Sequence, residues 1–600
     1  MTSEPATAPR HRLRRAGTAG LFVVCVCGAG SATGAEIQVG GRITYGEVWR
    51  VQARDPDLLT GVNAAAIGLA GHGSGGNADD ANTNYGQGDA ASRALKGLFE
   101  LQARDGAWSA ALRLKAWRDV GLLHDGRPWG NVANGYAPDR PLSDAGAPRL
   151  SRFAGVALLD AWVQGSARID GVEVLGRIGQ QSLDWGGRTL NPGGLEALNP
   201  RDLPGMRRAG AVLAEAIVPR PLLFGRVGLS PSFAIEGYYQ ARFRPAAIDM
   251  CGTLWSMSDY MTDGCDKVMA GMPPTNDRAR IPLGAWQKRL DTPQPGASEF
   301  GIGATWRTAL LGTEPDTTVG LYHARYTART ALPALRRSSR GSGPALIAGD
   351  PDGLNMAYRT EYPEGLRITA LTLVHTRAAT SLQGELSYRP RSPLMLAPGD
   401  VIPPFLNATL PSLLRERVDA VAPGAIFHAW DLHPMWQMQL GVRHETTLAG
   451  VPLVAGAEAV IKRVPGLPSA ALLRYGRADI FGVGPINGSC FVSTGNAARQ
   501  CSERGYVSPS AWGYRLRLDA RLPALAPQLH GTASALLVHD VNGWSGDFQL
   551  NEGRRSLALA LRFEYRRRYL LELGYNPAWG GDYNPARDRD TASLALGVRF

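Results

Sequence analysis

The chain has 600 residues, 44% of them hydrophobic, with 64 Lys+Arg against 53 Asp+Glu and a net charge of +11. Residues 1–35 carry four Arg and one Glu, so +8 belongs to the remainder, where the arginines are spread among many acids; without a concentrated basic face interleaved with aromatics, nucleic acid is excluded as a partner. After residue 35 no apolar run reaches the roughly 20 residues that a spanning helix needs, so any membrane crossing must be made by strands.

At the N-terminus, Arg10, Arg12, Arg14 and Arg15 precede a short apolar run, residues 21–26, and then small residues from Gly28 to Ala35. That order is a secretory signal peptide over residues 1–35, with cleavage expected after Ala35 and Ala32 as the alternative. Residues 36–600 are then expected to form one domain. Cys25 and Cys27 leave with the signal, and neither follows the Gly or Ala of a lipoprotein box.

Strands are expected, in chain order, at 37–45, 95–104, 108–117, 158–168, 172–181, 222–229 and 233–243. They continue at 300–307, 318–326, 366–376, 382–388, 436–442, 512–522, 529–541, 557–565, 569–575 and 592–600. The period of two is clearest at the end, where Ala592, Leu594, Leu596, Val598 and Phe600 alternate with Ser593, Ala595, Gly597 and Arg599. In 512–522, Trp512, Tyr514, Leu516 and Leu518 alternate with Arg515, Arg517, Asp519 and Arg521. Alternation alone also suits a soluble sandwich. Aromatics at strand ends (Trp512, Tyr565, Tyr569, Tyr575), connections alternating between short and very long, and a terminal Phe600 favour a bilayer barrel, because strands in lipid need a closed ladder. The fold class expected is all-β: a transmembrane antiparallel β-barrel of about 16 strands with long loops and an inward plug segment.

Long loops are expected over 53–91, 245–297 and 477–510. The second and third hold Cys251 with Cys265 and Cys490 with Cys501, in Gly-, Asp-, Ser- and Asn-rich stretches without zinc or redox spacing. Two loop disulfides suit the oxidising periplasm. Residues 190–218 break the strand rhythm and are expected to fold inward as a partial plug with a short helix.

Several stretches closely resemble a proteobacterial outer-membrane family, domain-of-unknown-function family 1302: NADDANTNYGQGD (77–89), LGRIGQQSLDWGGRTLNPGGLEALNPRD (175–202), IEGYYQARFRPAAIDMCGT (235–253), LQGELSYRPRSPL (382–394), HDVNGW (539–544) and YNPARDRD (583–590). The resemblance covers nearly the whole mature chain, and it departs from the family pattern at Gly187, where an acidic residue commonly follows Trp-Gly. It implies a barrel associated with a periplasmic lipid-carrier-like protein and an inner-membrane exporter, with lipid-, sterol- or aromatic-like cargo. Further partners expected are outer-membrane lipid and the barrel-assembly machinery, the latter through Phe600.

Catalytic signals are weak. Ser545 lacks the second glycine of a nucleophile elbow, His444 lacks the second histidine of a zinc-protease helix, and His428 and His433 with Asp431 have spacing that suits ordinary solvated side chains. No enzyme activity, metal or cofactor is expected. The candidate lumen and ligand residues are Asp160, Arg177, Arg188, Asn199, Arg201, Asp202, Arg207 and Arg208, because an arginine in a watery lumen costs little and on the lipid face near the midplane costs about 2–4 kcal/mol. Their arginines either recognise an anionic headgroup or pair with Asp160, Asp184 and Asp202 to pin the inward segment. The function expected is a channel or transporter for a hydrophobic or amphipathic molecule; the alternative is a surface structural or adhesion protein anchored by the barrel.

Overall fold

The computed structural model describes residues 34–187, 189–270, 275–309, 316–341, 343–490 and 496–600. Residues 1–33, which fall within the signal peptide expected over 1–35, and the candidate Arg188 lie outside the described residues. Eighteen strands form the barrel: β1 Glu36–Arg50, β2 Ala90–Asp105, β3 Trp108–Asp119, β4 Ala154–Ile169, β5 Val172–Gln181, β6 Arg220–Gly228, β7 Phe233–Gln240, β8 Glu299–Thr308 and β9 Thr317–Tyr326. The second half is β10 Leu366–Arg377, β11 Thr380–Met395, β12 Trp430–Leu448, β13 Val451–Arg463, β14 Ser510–Ala526, β15 Leu529–Asn542, β16 Arg555–Tyr565, β17 Tyr569–Asn576 and β18 Thr591–Arg599.

Each strand pairs antiparallel with its sequence neighbours, and β1 pairs with β18 from Arg42–Arg599 to Arg50–Thr591, which closes the ring. Phe600 and Gly41 exchange backbone hydrogen bonds at 3.1 Å in each direction, so the ladder runs to the last residue. Closure removes the edges that lipid could not hydrogen-bond. Tight turns join the strands at one end; Asp170 and Gly171, both at positive φ, make the two-residue turn from β4 to β5 that matches strand twist.

Side-chain parity follows the sequence. Along β1, Arg42 and Thr44 are buried while Ile43 and Tyr45 are exposed; Lys96 on β2, Glu385 on β11 and Arg515 on β14 are buried beside exposed Leu95, Leu386 and Leu516. An apolar exterior around a polar interior inverts a soluble protein and matches a bilayer-spanning barrel. Exposed aromatics gather at both margins. Trp108, Trp306, Tyr565 and Tyr569 sit at the tight-turn end, and Tyr239, Trp436, Trp512 and Tyr575 sit toward the long connections.

The expected count of about 16 strands is corrected to 18. Each of the seventeen ranges read from the sequence overlaps a barrel strand, and the missing one is β13. Its outward positions Ala455, Ala457 and Ala459 are small and its inward Val454 and Val460 are apolar, so the alternation is faint. A further short strand, Ala578–Trp579, pairs only with β16. A five-stranded loop sheet (Lys267–Met269, Trp286–Arg289, Leu332–Arg336, Ala357–Glu361, Ile426–His428) is also unforeseen, since strands of three to five residues carry almost no periodicity. Both disulfides form: Cys251–Cys265 and Cys490–Cys501, with Cα–Cα distances of 6.2 and 5.4 Å.

Candidate functional site

The connection 182–219, between β5 and β6, is fastened to strands on two sides of the ring. Near its start, Leu190 N and Asn191 N donate to Glu458 of β13 at 2.9 and 2.8 Å, Asn191 Nδ2 donates to the same carboxylate at 2.7 Å, and Leu195 N donates to Glu385 of β11 at 2.9 Å. Farther along, Asp202 pairs with Lys115 of β3, the Arg42 guanidinium of β1 donates to Gly210 O at 2.5 Å, and Glu215 lies 3.2 Å from Lys96 of β2 and 3.5 Å from Arg42. In the ring order β1–β3 and β11–β13 lie nearly opposite each other. Burial works to raise the Glu215 pKa, but Lys96, the Val212 amide, Lys115 and Arg42 outweigh it and hold the group below its ordinary value.

Local sequence explains how the chain turns between these anchors. Gly193 and Gly194, at positive φ, bend the backbone onto Glu385, and Asp202 accepts Gly205 N at 2.9 Å to cap the short helix Leu203–Arg207, with Pro204 in its first turn. The short helix expected within 190–218 is Leu203–Arg207, and AVLAEAI adds a 3-10 turn, Leu213–Glu215.

The sequence-derived candidates separate into three places. Asp160 and Arg177 are on the β4–β5 wall: a bulge at Leu112/Leu114 sets Arg113 opposite Asp160, 2.5 Å away, while Arg177 donates to Gln164 at 2.8 Å and stacks 4.7 Å over Trp162. Asn199, Arg201 and Asp202 fasten the connection itself: Asn199 bonds Leu183 N and O and Arg220, and Arg201 donates to Glu196 at 2.6 Å. Arg207 and Arg208 line a cavity inside the ring. Of the acids with which these arginines are alternatively expected to pair, Asp160 ion-pairs instead with Arg113 and Asp202 with Lys115, while Asp160 and Asp184 act on Arg177, and Asp202 on Arg208, only through space. His428 and His433 also have separate partners, Glu361 and Tyr475, while Asp431 pairs with Arg417 at 2.8 Å.

Inside the ring lies a cavity of about 750 Å³ between residues 206–211 and the inner face of β14–β18. Six arginines line it (Arg207, Arg208, Arg515, Arg517, Arg554, Arg589) against one carboxylate, Glu572. Most are compensated: Arg515 and Arg554 lie 3.0 and 2.6 Å from Asp540, Arg517 lies 2.6 Å from Asp519, and Arg207 lies 3.6 Å from Asp249. Among the described residues, Arg208 and Arg589 have no ion-paired carboxylate; they donate to the carbonyls of Arg152 at 3.2 Å and Ser256 at 2.9 Å. Burial lowers the Arg589 pKa to about 10, so it stays charged at neutral pH. Trp255, Met206 and Met257 add apolar surface. Sequence reading missed Lys96, Lys115, Glu385, Glu458 and Arg589; the first three occupy inward positions of alternating strands, a signal already present in the pattern, whereas Glu458 lies on β13, where that signal is faint.

The family described as protein of unknown function (DUF1302) matches residues 12–600. The chain belongs to this family. No curated protein matches it. Among solved structures, the DUF1302 chain is similar to Pseudomonas aeruginosa OpdK with vanillate, at 11% identity and TM-score 0.37, covering 94% of this chain and 98% of that one. It is similar to a BenF-like porin from Pseudomonas fluorescens Pf-5, at 10% identity, TM-score 0.37 and the same coverage, and to Acinetobacter baumannii OccAB3, at 9%, 0.37, and 94% and 99%. Likeness of that degree bears on neither solute nor direction of transport. Closure into an even-numbered antiparallel ring, an apolar belt between aromatic margins and a polar interior place this DUF1302 chain in the bacterial outer membrane.

Proposed function

We propose that this DUF1302 protein is an outer-membrane channel whose 182–219 connection narrows the lumen as a plug, leaving an arginine-lined passage for an amphipathic solute that carries an anionic group. The observation that carries the reading is the pair Arg208 and Arg589, buried cations with no ion-paired carboxylate among the described residues, which flank a cavity also lined by Trp255, Met206 and Met257. Such guanidiniums supply bidentate donors for a carboxylate or phosphate, and the indole and thioethers suit the solute's apolar part. A purely hydrophobic cargo finds little support in a wall with this many charges.

No covalent chemistry is required; transport energy would come from a periplasmic lipid-carrier-like protein and an inner-membrane exporter working with the barrel. Phe600, paired to Gly41 at the closing seam, is the segment offered to the barrel-assembly machinery. Planar-bilayer recording tests the reading. The native protein should show small, anion-favouring conductance, and a variant lacking residues 190–208 should show a much larger one. Silence in both would overturn the channel and favour the alternative, a barrel that anchors disulfide-stapled surface loops.

A further inference from the structure

Four aspartates meet away from the lumen cavity, where the long β1–β2 and β7–β8 connections pack together. Asp79 and Asp80 come from residues 51–89, Asp259 and Asp277 from residues 241–298, and all four are at most 2% exposed. One oxygen from each of Asp79, Asp80 and Asp259 lies within 4.8 Å of the others. Two oxygens bound to one Ca²⁺ at 2.3–2.6 Å sit no more than about 5 Å apart, so this spread fits one ion.

The donors around the carboxylates are neutral. Asp79 accepts Thr60 N, Thr60 Oγ1 and Asn63 Nδ2, each at 2.8 Å; Asp80 accepts Trp129 Nε1 at 2.9 Å and Tyr136 OH at 3.1 Å. Asp259 Oδ2 accepts Asp79 N at 3.1 Å, whereas Asp259 Oδ1, buried in the same place, has no hydrogen-bond partner among the described residues. Among the described residues, the only cationic side chain within ion-pairing reach of the four is Arg280, 3.7 Å from Asp277. A buried oxygen with no donor among the described residues, beside two further carboxylates and with no basic side chain within ion-pairing distance of these three, leaves an uncompensated cost of burial that the more distant Arg589 offsets only in part.

We propose that Asp79, Asp80 and Asp259 bind a divalent cation, Ca²⁺ by their all-oxygen chemistry, with Asp277 adding charge and, through Asn63 at 2.8 Å, holding the site's shape. The cation ties the two connections together. Because Asp259 follows Trp255 and Met257 closely in sequence, and both of these line the cavity, the ion also fixes that part of the cavity wall. The proposal is independent of whether the barrel conducts.

The test is calorimetric titration of the EDTA-treated, detergent-refolded full chain with CaCl2, repeated with MgCl2. One saturable Ca²⁺ per chain is expected, with affinity at least tenfold weaker in Asp80→Asn and Asp259→Asn and unchanged in Asp582→Asn, an exposed carboxylate elsewhere. No saturable uptake by the native chain, or equal uptake by the Asp80 and Asp259 variants, overturns it. If those variants fail to refold, limited proteolysis of the native chain decides. Ca²⁺ should slow cleavage within 51–89 and 241–298 several-fold relative to EDTA, and identical digestion with and without Ca²⁺, as a protonated carboxyl cluster would give, sinks the proposal.

Discussion

Glu458 on β13 accepts the backbone N–H of Asn191 at 2.8 Å, although 267 residues separate them. The same carboxylate accepts Leu190 N, Asn191 Nδ2 and Gln383 Nε2, so one inward side chain holds the leading end of the 182–219 connection. Hydrogen bonds to a charged group contribute about 1.5–3 kcal/mol each. Glu458→Ala should therefore loosen that end by at least about 3 kcal/mol. The backbone ladder of β13 with β12 and β14 remains, so the barrel should still assemble. Single-channel conductance should rise toward that of the variant lacking residues 190–208; an unchanged value would show that Glu458 does not hold the connection.

Gly194 tests the neighbouring anchor. It adopts φ +56°, and a Cβ there would collide with Glu385 Oε1, the acceptor of Leu195 N. Gly194→Ala adds left-handed strain of order 1–3 kcal/mol and expels the carboxylate from its seat. Because Glu385 and Glu458 fasten the same stretch, combining Gly194→Ala with Glu458→Ala should raise conductance by less than the sum of the single effects. Additive effects would mean that the anchors act separately.

At the opposite wall the Lys115–Asp202 pair is almost fully buried. Removing one partner of such a pair typically costs about 3–5 kcal/mol, because the other charge is left uncompensated. Lys115→Met should lower the heat resistance of the refolded barrel, read as the temperature at which its compact gel band disappears. Asp202→Asn added to Lys115→Met should recover much of the loss. If the double variant is no more resistant than the single one, uncompensated charge is not the cause.

These anchors show what the sequence makes legible. Alternation along 382–388 and 512–522 is enough to assign Glu385 and Arg515 to the inner face, because a strand has two faces and only one can meet lipid. It cannot say that Lys115 meets Asp202, 87 residues away, since that depends on how a loop with no repeating pattern folds back. The strand β13 escaped for a different reason: alanines outside and valines inside erase the contrast on which periodicity depends. NADDANTNYGQGD marked the family, yet its chemistry is invisible without Asp259, 180 residues beyond Asp79.

Acidity should act on the loops through Asp479. This residue opens the 3-10 turn Asp479–Phe481 and packs against Gly75 of the β1–β2 connection, where Ser74 N donates to Ile480 O at 2.8 Å. Burial raises its pKa from 3.8 to about 6. A carboxyl with a raised folded-state pKa contributes stability that is complete below about pH 4 and is lost as pH rises through 6, by roughly 3 kcal/mol at most for a shift of about two units. Nearby Asp57, 2.5 Å from Arg499, does not share this window: burial works to raise its pKa, but Asn496, Arg499 and Arg587 hold it below the ordinary value. Amide exchange in residues 475–482 should be faster at pH 7 than at pH 4 after correction for intrinsic rates. In Asp479→Asn that difference should vanish; its persistence would assign the effect to another group.

Arg208 and Arg589 carry the sharpest expectation for the lumen. Both are buried at the cavity wall, and among the described residues neither has a carboxylate within ion-pairing distance, the nearer acids offsetting their charge only through space. A unit charge about 8 Å from a permeating ion, at an effective dielectric near 20, contributes about 2 kcal/mol, and salt screens it over about 8–10 Å. In a KCl gradient the native reversal potential should therefore favour chloride, most strongly at low ionic strength. Arg208→Ala with Arg589→Ala should reduce the chloride preference several-fold and flatten its salt dependence. Arg208→Lys with Arg589→Lys separates charge from shape: chloride preference should survive, because the charge is kept, while inhibition of the current by an added amphipathic carboxylate should weaken, because an ammonium cannot reproduce the planar two-donor fork. Loss of chloride preference in the lysine pair would show that packing of the wall, rather than its charge, sets the selectivity.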